Sequence, residues 1–193
     1  MVAFDCGAHI GEYSLLFSQL VGCGGQVHAF EPDPRVYAYL EENVVQNELS
    51  NVVLNREGLN SREDSAPYRL QPDATTSSLS QYAESDGMEE IVIRTTTLDN
   101  YARLRQLHRV DALKIDVEGA EADVLAGARD VLLRLRPGLV FVECDRHKNT
   151  AAVTEALEAT GYRVAQRFDP GHLHPHVIAR KGASRRHASE AVA

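Results

Sequence analysis

The feature that most limits what this chain can fold into is an alternation. Short apolar runs of strand length are separated by longer segments whose apolar residues recur at helical spacing. Val2 to Asp5, Val27 to Phe30, Val52 to Leu54, Ala112 to Val117 and Leu139 to Glu143 are the apolar runs. Between them, Gly11 to Leu20 carries Tyr13, Leu16, Phe17 and Leu20 in a helical period, and Pro34 to Gln46 carries Val36, Leu40 and Val44 behind an N-capping Asp33. Ala120 to Leu135 and Thr150 to Thr160 read as further helices. Parallel strands cannot be joined by a tight turn and need a crossover, usually a helix. The rhythm therefore predicts an α/β fold, a three-layer α/β/α sandwich around a seven-stranded, mostly parallel sheet. Val164 to Phe168 and Val177 to Arg180 have no helix between them, and Asp169-Pro170-Gly171 favours a hairpin there, so one strand is expected to run antiparallel. Residues 60–90 break the rhythm. They are polar and turn-rich, with strands expected near Tyr68 to Leu70 and Ile91 to Thr95, and read as an insertion over the sheet edge, a surface loop or a lid.

A chain of 193 residues suits one domain, placed at residues 1–181, with the polar, alanine-rich residues 182–193 as a disordered tail. Hydrophobic residues at 44% suffice for a core, and no apolar run is long enough for a membrane span. The net charge of −8 argues against a nucleic-acid partner, which needs a basic surface for phosphates. Oligomeric state cannot be read from the sequence. Cys6, Cys23 and Cys144 form no close pair, and Met1 to Asp5 lacks a basic start and a cleavage site, so a reducing, cytoplasmic location is expected.

The first strand runs into Asp5-Cys6-Gly7-Ala8-His9-Ile10-Gly11. Glycines at 7 and 11 let the chain turn sharply and let a ligand approach the backbone, and the next helix presents its N-terminal dipole there. The spacing departs from the dinucleotide-binding fingerprint: Asp5 stands where its first glycine would be, and an acidic loop suits a cationic ligand better than a pyrophosphate. The second strand ends in Glu31-Pro32, twenty positions after Gly11, where a carboxylate can hold both ribose hydroxyls. Together the two motifs predict an adenosine site.

These residues resemble the FkbM family of class I methyltransferases, whose fold is Rossmann-like. The similarity runs through Val2 to Gly11, Phe30-Glu31-Pro32, Thr97-Leu98-Asp99, Leu113 to Glu121 and Val124 to Ala128, from about residue 2 to 180. One departure is that family members carry residues before the first strand. The resemblance implies S-adenosylmethionine as methyl donor and, as partner, a small-molecule or glycan acceptor methylated on a hydroxyl of a sugar or natural product. It implies that Asp5, Gly7 and Gly11 surround the amino-acid part of the cofactor, that Glu31 holds the ribose, that the adenine lies near Asn55 to Gly58, and that Ala8, His9, Pro32 and Glu57 also contact the cofactor.

Along the fourth strand Lys114, Asp116 and Glu118 alternate onto one face. Asp116 and Glu118 are read as the catalytic carboxylates, Asp116 also touching the cofactor, because a hydroxyl is a poor nucleophile until a base or a metal takes its proton. The structural alternative is a Lys114–Asp116 ion pair with Glu118 at a helix start. No motif specifies a metal; Mg2+ is left open, and His172-x-His174-x-His176 reads as an irregular hairpin rather than a metal site. Two other functions share the strand–glycine–helix–acid logic: an NAD-dependent oxidoreductase, and a degenerate module that binds adenosine ligands without catalysis.

Overall fold

The computed structural model describes residues 1–72, 77–79, 81, 89–144, 149–168 and 175–182. In chain order the elements are β1 (Val2–Cys6), α1 (Glu12–Leu20), β2 (Gln26–Phe30), α2 (Pro34–Gln46), β3 (Val52–Asn55), β4 (Gly58–Leu59), β5 (Asp64–Leu70), β6 (Ser78–Leu79) and β7 (Glu89–Thr96). They continue with α3 (Leu98–Leu104), β8 (Ala112–Ile115), α4 (Glu121–Ala126), a π-helical segment (Val131–Leu135), β9 (Leu139–Glu143), α5 (Thr150–Ala159), β10 (Tyr162–Phe168) and β11 (His176–Lys181). The expected turn at Asp169-Pro170-Gly171, His172 and His174, and all of the expected tail except Gly182 lie outside the described residues.

The main sheet has seven strands in the order β10-β11-β9-β8-β1-β2-β3. The pairs β1–β2, β1–β8, β8–β9 and β2–β3 are parallel, and β11 runs antiparallel to both neighbours, so it is the single reversed strand. Side chains alternate across β1 as the pleat requires. Phe4 and Cys6 enter one core with Leu98, Val124, Leu132, Val153 and Leu157, which come from α3, α4, the π-helical segment and α5. Ala3 faces the other way, into a cluster with Val21, Val27 and Phe17, while Ala29 meets Leu40 and Val44 of α2. The sheet thus lies between two helical layers. Asp33 caps α2 as expected, accepting from the Arg35 N–H, and Val36, Leu40 and Val44 are buried.

The insertion is a second sheet, β4-β7-β5-β6. Tyr68, Leu70, Leu79 and Ile93 from it form a small core with Ala120, which precedes α4, so the second sheet is anchored above the carboxyl edge of the first.

Three expectations are corrected. The fourth strand ends at Ile115 rather than Val117, because Glu118 and Gly119 take positive φ (52° and 106°) and turn the chain away after Asp116 donates its N–H to Cys6 O. The helix expected over 120–135 is two pieces, and Glu121 rather than Glu118 occupies its first turn. The break follows from a close approach: a Cβ on Gly127 would lie 2.3 Å from Asn60 O, and Gly127 O accepts from Asp99 N–H. The Asp99 carboxylate then caps the second piece, accepting from the N–H groups of Asp130 and Val131 at 2.9 and 2.8 Å. Finally, α1 turns Ser14 and Ser18 inward and leaves Tyr13, Leu16 and Leu20 exposed, because a hydroxyl is needed beneath the helix to meet buried Asp5.

Candidate functional site

The carboxyl ends of β1 and β2 are fastened together by the glycine loop. The N–H groups of Gly7 and Ala8 both donate to Phe30 O, at 3.0 and 2.9 Å. Gly7 is required twice over: its φ is +77°, and a Cβ there would sit 1.7 Å from Asp116 O. Gly11, at φ +99°, caps α1 and packs against Leu40.

Above this loop opens a cleft of about 280 Å³. Gly7, Ala8 and His9 form its floor, Glu31, Pro32 and Glu57 one flank, and Lys114, Asp116 and Glu118 another. Tyr68 and Ile93 of the second sheet, with Ser77 just before β6, close it from the insertion. Of the residues singled out in the sequence, Gly7, Ala8, His9, Glu31, Pro32, Glu57, Asp116 and Glu118 therefore come together on one surface. Asp5 and Gly11 are not among the lining residues; they act on its walls from behind.

Glu31 is nearly buried, 6% exposed. Its Oε2 accepts the His9 N–H at 3.0 Å and its Oε1 the Asp33 N–H at 2.9 Å. Burial pushes its pKa up to about 7, against the pull of those two N–H groups. A carboxylate has about four acceptor sites, so two stay available for hydroxyls from the cleft.

Beneath the loop lies a charge cluster. Lys114 Nζ stands 3.3 Å from Asp5 Oδ1, 3.2 Å from Asp116 Oδ2 and 2.8 Å from Gly7 O. Register explains it, since Asp5 pairs with Lys114 across β1 and β8. Asp5 is fully buried and accepts the Ser14 hydroxyl at 2.6 Å. Burial opposes the Lys114 charge, yet the two carboxylates hold its pKa above the ordinary lysine value. The expected Lys114–Asp116 pair exists, but as part of a triad that includes Asp5 and ties the loop to β8. The sequence offered no signal for Asp5 in it. Tyr13, also missed, lines the cleft with its ring 5.0 Å from Lys114 Nζ.

Residues 5–164 match the model of the methyltransferase FkbM domain. This chain belongs to the FkbM methyltransferase family. Among relatives of the FkbM chain is the 2-O-methyltransferase NoeI of Sinorhizobium fredii, 31% identical over 70% of this chain and 60% of that protein. Another is the hexuronic acid methyltransferase AglP of Haloferax volcanii, 27% identical over 81% of this chain and 61% of that protein. The crystal structure of an FkbM methyltransferase from Methylobacillus flagellatus superposes with a TM-score of 0.67 at 17% identity, covering 92% of this chain and 42% of the other. The chain thus spans about three fifths of both curated relatives. Membership sets the methyltransferase reading above the NAD-dependent oxidoreductase. Among the described residues no helix is long and apolar enough to cross a membrane, and no group of three or more His, Cys, Asp or Glu is arranged to hold a metal ion.

Proposed function

We propose that this FkbM-family chain is an S-adenosylmethionine-dependent O-methyltransferase acting on a hydroxyl of a sugar or natural-product acceptor. The observation that carries the reading is Glu31: a buried carboxylate just past the carboxyl end of β2, set by the His9 and Asp33 N–H groups, on the wall of the cleft above the glycine loop. Its acceptor-only chemistry fits a ribose diol. When bound, the cofactor supplies a methyl group made electrophilic by its sulfonium.

The residues present fit that group. Gly7 and Ala8 keep the floor low where the amino-acid part would rest, His9 adds a polar ring at its rim, and Asp5 and Gly11 support that floor through Ser14, Lys114 and Leu40. Pro32 and Glu57 bound the flank where the nucleoside would extend. Asp116 and Glu118 line the side nearest β8, where they orient the reactants; alignment of hydroxyl and methyl supplies much of the rate of such a displacement. The insertion excludes water from above through Tyr68, whose hydroxyl donates to Ser77 O at 2.8 Å. NoeI and AglP, by their names, methylate an oxygen and a hexuronic acid, and that supports a hydroxyl acceptor, including a glycan. Free Cys6, Cys23 and Cys144 support a reducing, cytoplasmic setting.

Calorimetry with S-adenosylhomocysteine and NAD, followed by transfer of labelled methyl from S-adenosylmethionine to a panel of methyl glycosides and macrolide alcohols, tests the reading. Binding of S-adenosylhomocysteine with transfer to one acceptor class is expected. Binding without transfer across the panel would instead support the degenerate binding module, and binding of NAD alone would refute the cofactor assignment.

A further inference from the structure

The row of side chains next to Asp116 on the carboxyl edge of the sheet holds a pair that neither the cleft nor the family motifs use. His176 Nε2 lies 3.0 Å from Glu143 Oε2, and both side chains are about a quarter exposed. The register places them. Lys114 pairs with Phe141 and Ile115 with Val142, so Glu143 follows in step with Asp116, and Glu143 pairs in turn with His176. Alternation puts Lys114, Phe141, Glu143 and His176 on the α1 side of the sheet. The pair is also joined to the cleft by contact: Tyr13 of the cleft wall meets the Phe141 ring at 6.3 Å, and Phe141 meets the His176 ring at 5.2 Å. On its other side the imidazole stacks on Phe168, 6.1 Å away and 4° from parallel.

Resting on the methyltransferase reading above, we propose that His176 is the base that removes the acceptor's hydroxyl proton and that Glu143 positions it. Glu143 accepts from Nε2–H, which makes Nδ1 the nitrogen with the lone pair. Two aromatic rings fix the plane of the imidazole. A histidine oriented by a carboxylate is the arrangement that activates hydroxyls in hydrolase triads. In the step, the acceptor oxygen forms the new O–CH3 bond as the sulfonium C–S bond breaks. The electron pair of that bond leaves on sulfur as a neutral thioether, and the hydroxyl proton passes to His176 Nδ1. The resulting imidazolium is stabilised by Glu143 and returns the proton to solvent. Asp116 is a poorer choice of base, since its Oδ2 is engaged by Lys114. Among the described residues, the other titratable or charged groups on this face include Lys114 on β8, Asp116 just beyond its end, Asp5 on β1, Tyr13 on α1, Arg180 farther along β11 and Arg163 opposite it on β10.

Two measurements on the intact chain decide it. In nitrogen-15 spectra of the histidines without any ligand, neutral His176 is expected to carry its proton on Nε2; a proton on Nδ1 overturns the proposal. His176→Gln keeps a donor for Glu143 and removes the basic nitrogen. It is expected to cut transfer to the best glycoside of the panel by about 10²- to 10⁴-fold and to leave the affinity for S-adenosylhomocysteine within about twofold of wild type. Transfer within about threefold of wild type would reduce the pair to a cross-strand contact. Should His176→Gln fail to fold, Glu143→Gln serves: about tenfold slower transfer at unchanged S-adenosylhomocysteine affinity is expected, and unchanged transfer overturns the proposal. Loss of S-adenosylhomocysteine binding by the wild-type protein would count against the methyltransferase reading, whereas the tautomer and variant results bear on His176 alone.

Discussion

Lys114 holds the site together from below, and its removal should show in stability before it shows in chemistry. Lys114→Met keeps the length of the side chain and deletes the ammonium that stands 3.3 Å from Asp5 and 3.2 Å from Asp116. Asp116 can turn to water, but Asp5 is fully buried and, among the described residues, keeps the Ser14 hydroxyl as its remaining side-chain partner. Breaking a buried ion pair from one side costs about 3–5 kcal/mol. At this chain length each kcal/mol lowers Tm by roughly 2–4 °C, so a fall of roughly 6–20 °C is expected in a thermal melt followed by circular dichroism. The sign of the pH dependence is fixed by the same geometry. Burial already lifts the Asp5 carboxyl above its ordinary pKa, Lys114 and Ser14 pulling against it. Without Lys114 the folded state binds a proton that the unfolded state gives up, so the deficit grows with rising pH and is larger at about pH 8 than at about pH 5. Asp5→Asn in the Lys114→Met background removes the orphaned charge and should recover more than about 1 kcal/mol, a coupling that a double-mutant cycle reads directly. A Lys114→Met melt within about 2 °C of wild type at about pH 8, or no recovery in the double variant, would refute the triad as a structural unit.

Because burial sets the Glu31 carboxyl at about 7, its ionised form dominates only above that pH. Affinity for S-adenosylhomocysteine should therefore fall as pH drops below about 7, and Glu31→Gln should weaken it by about 1.5–3 kcal/mol with the fold intact; a dissociation constant unchanged in calorimetry would remove Glu31 from the site. Asp99→Ala uncaps the π-helical segment and should cost about 0.5–2 kcal/mol in a denaturant titration, with no loss of cofactor binding; a variant as stable as wild type would show that the cap is not what holds the break after Gly127.

The alternation of apolar runs and helical periods carried the seven strands, the helices α1, α2 and α5 and the reversed last strand, but not α3, whose seven residues show too short a period to read. These are properties of neighbouring residues, and local periodicity is set by how a strand or a helix presents its side chains. The chain also shows Gly7, Glu31 and Asp33 for what they are, since a tight turn, a strand-end acid and a helix cap each depend on a few adjacent positions. The family blocks Thr97-Leu98-Asp99 and Val124 to Ala128 were visible as patterns, but their joint task was not. Only folding brings Asp99 under the N–H groups of Asp130 and Val131 and seats Gly127 against Asn60. Tertiary contact likewise rotated the buried face of α1, keeping Phe17 against the sheet but turning Ser14 under the helix in place of Tyr13, Leu16 and Leu20, because a buried carboxylate lies beneath it. Lys114 and Gly7 are 107 positions apart and meet because β1 and β8 are neighbours. The step that aligns Glu143 and His176 with Asp116 arises from strand register in the same way. Strand order and register are chosen by packing over the whole sheet, and no window of sequence contains them.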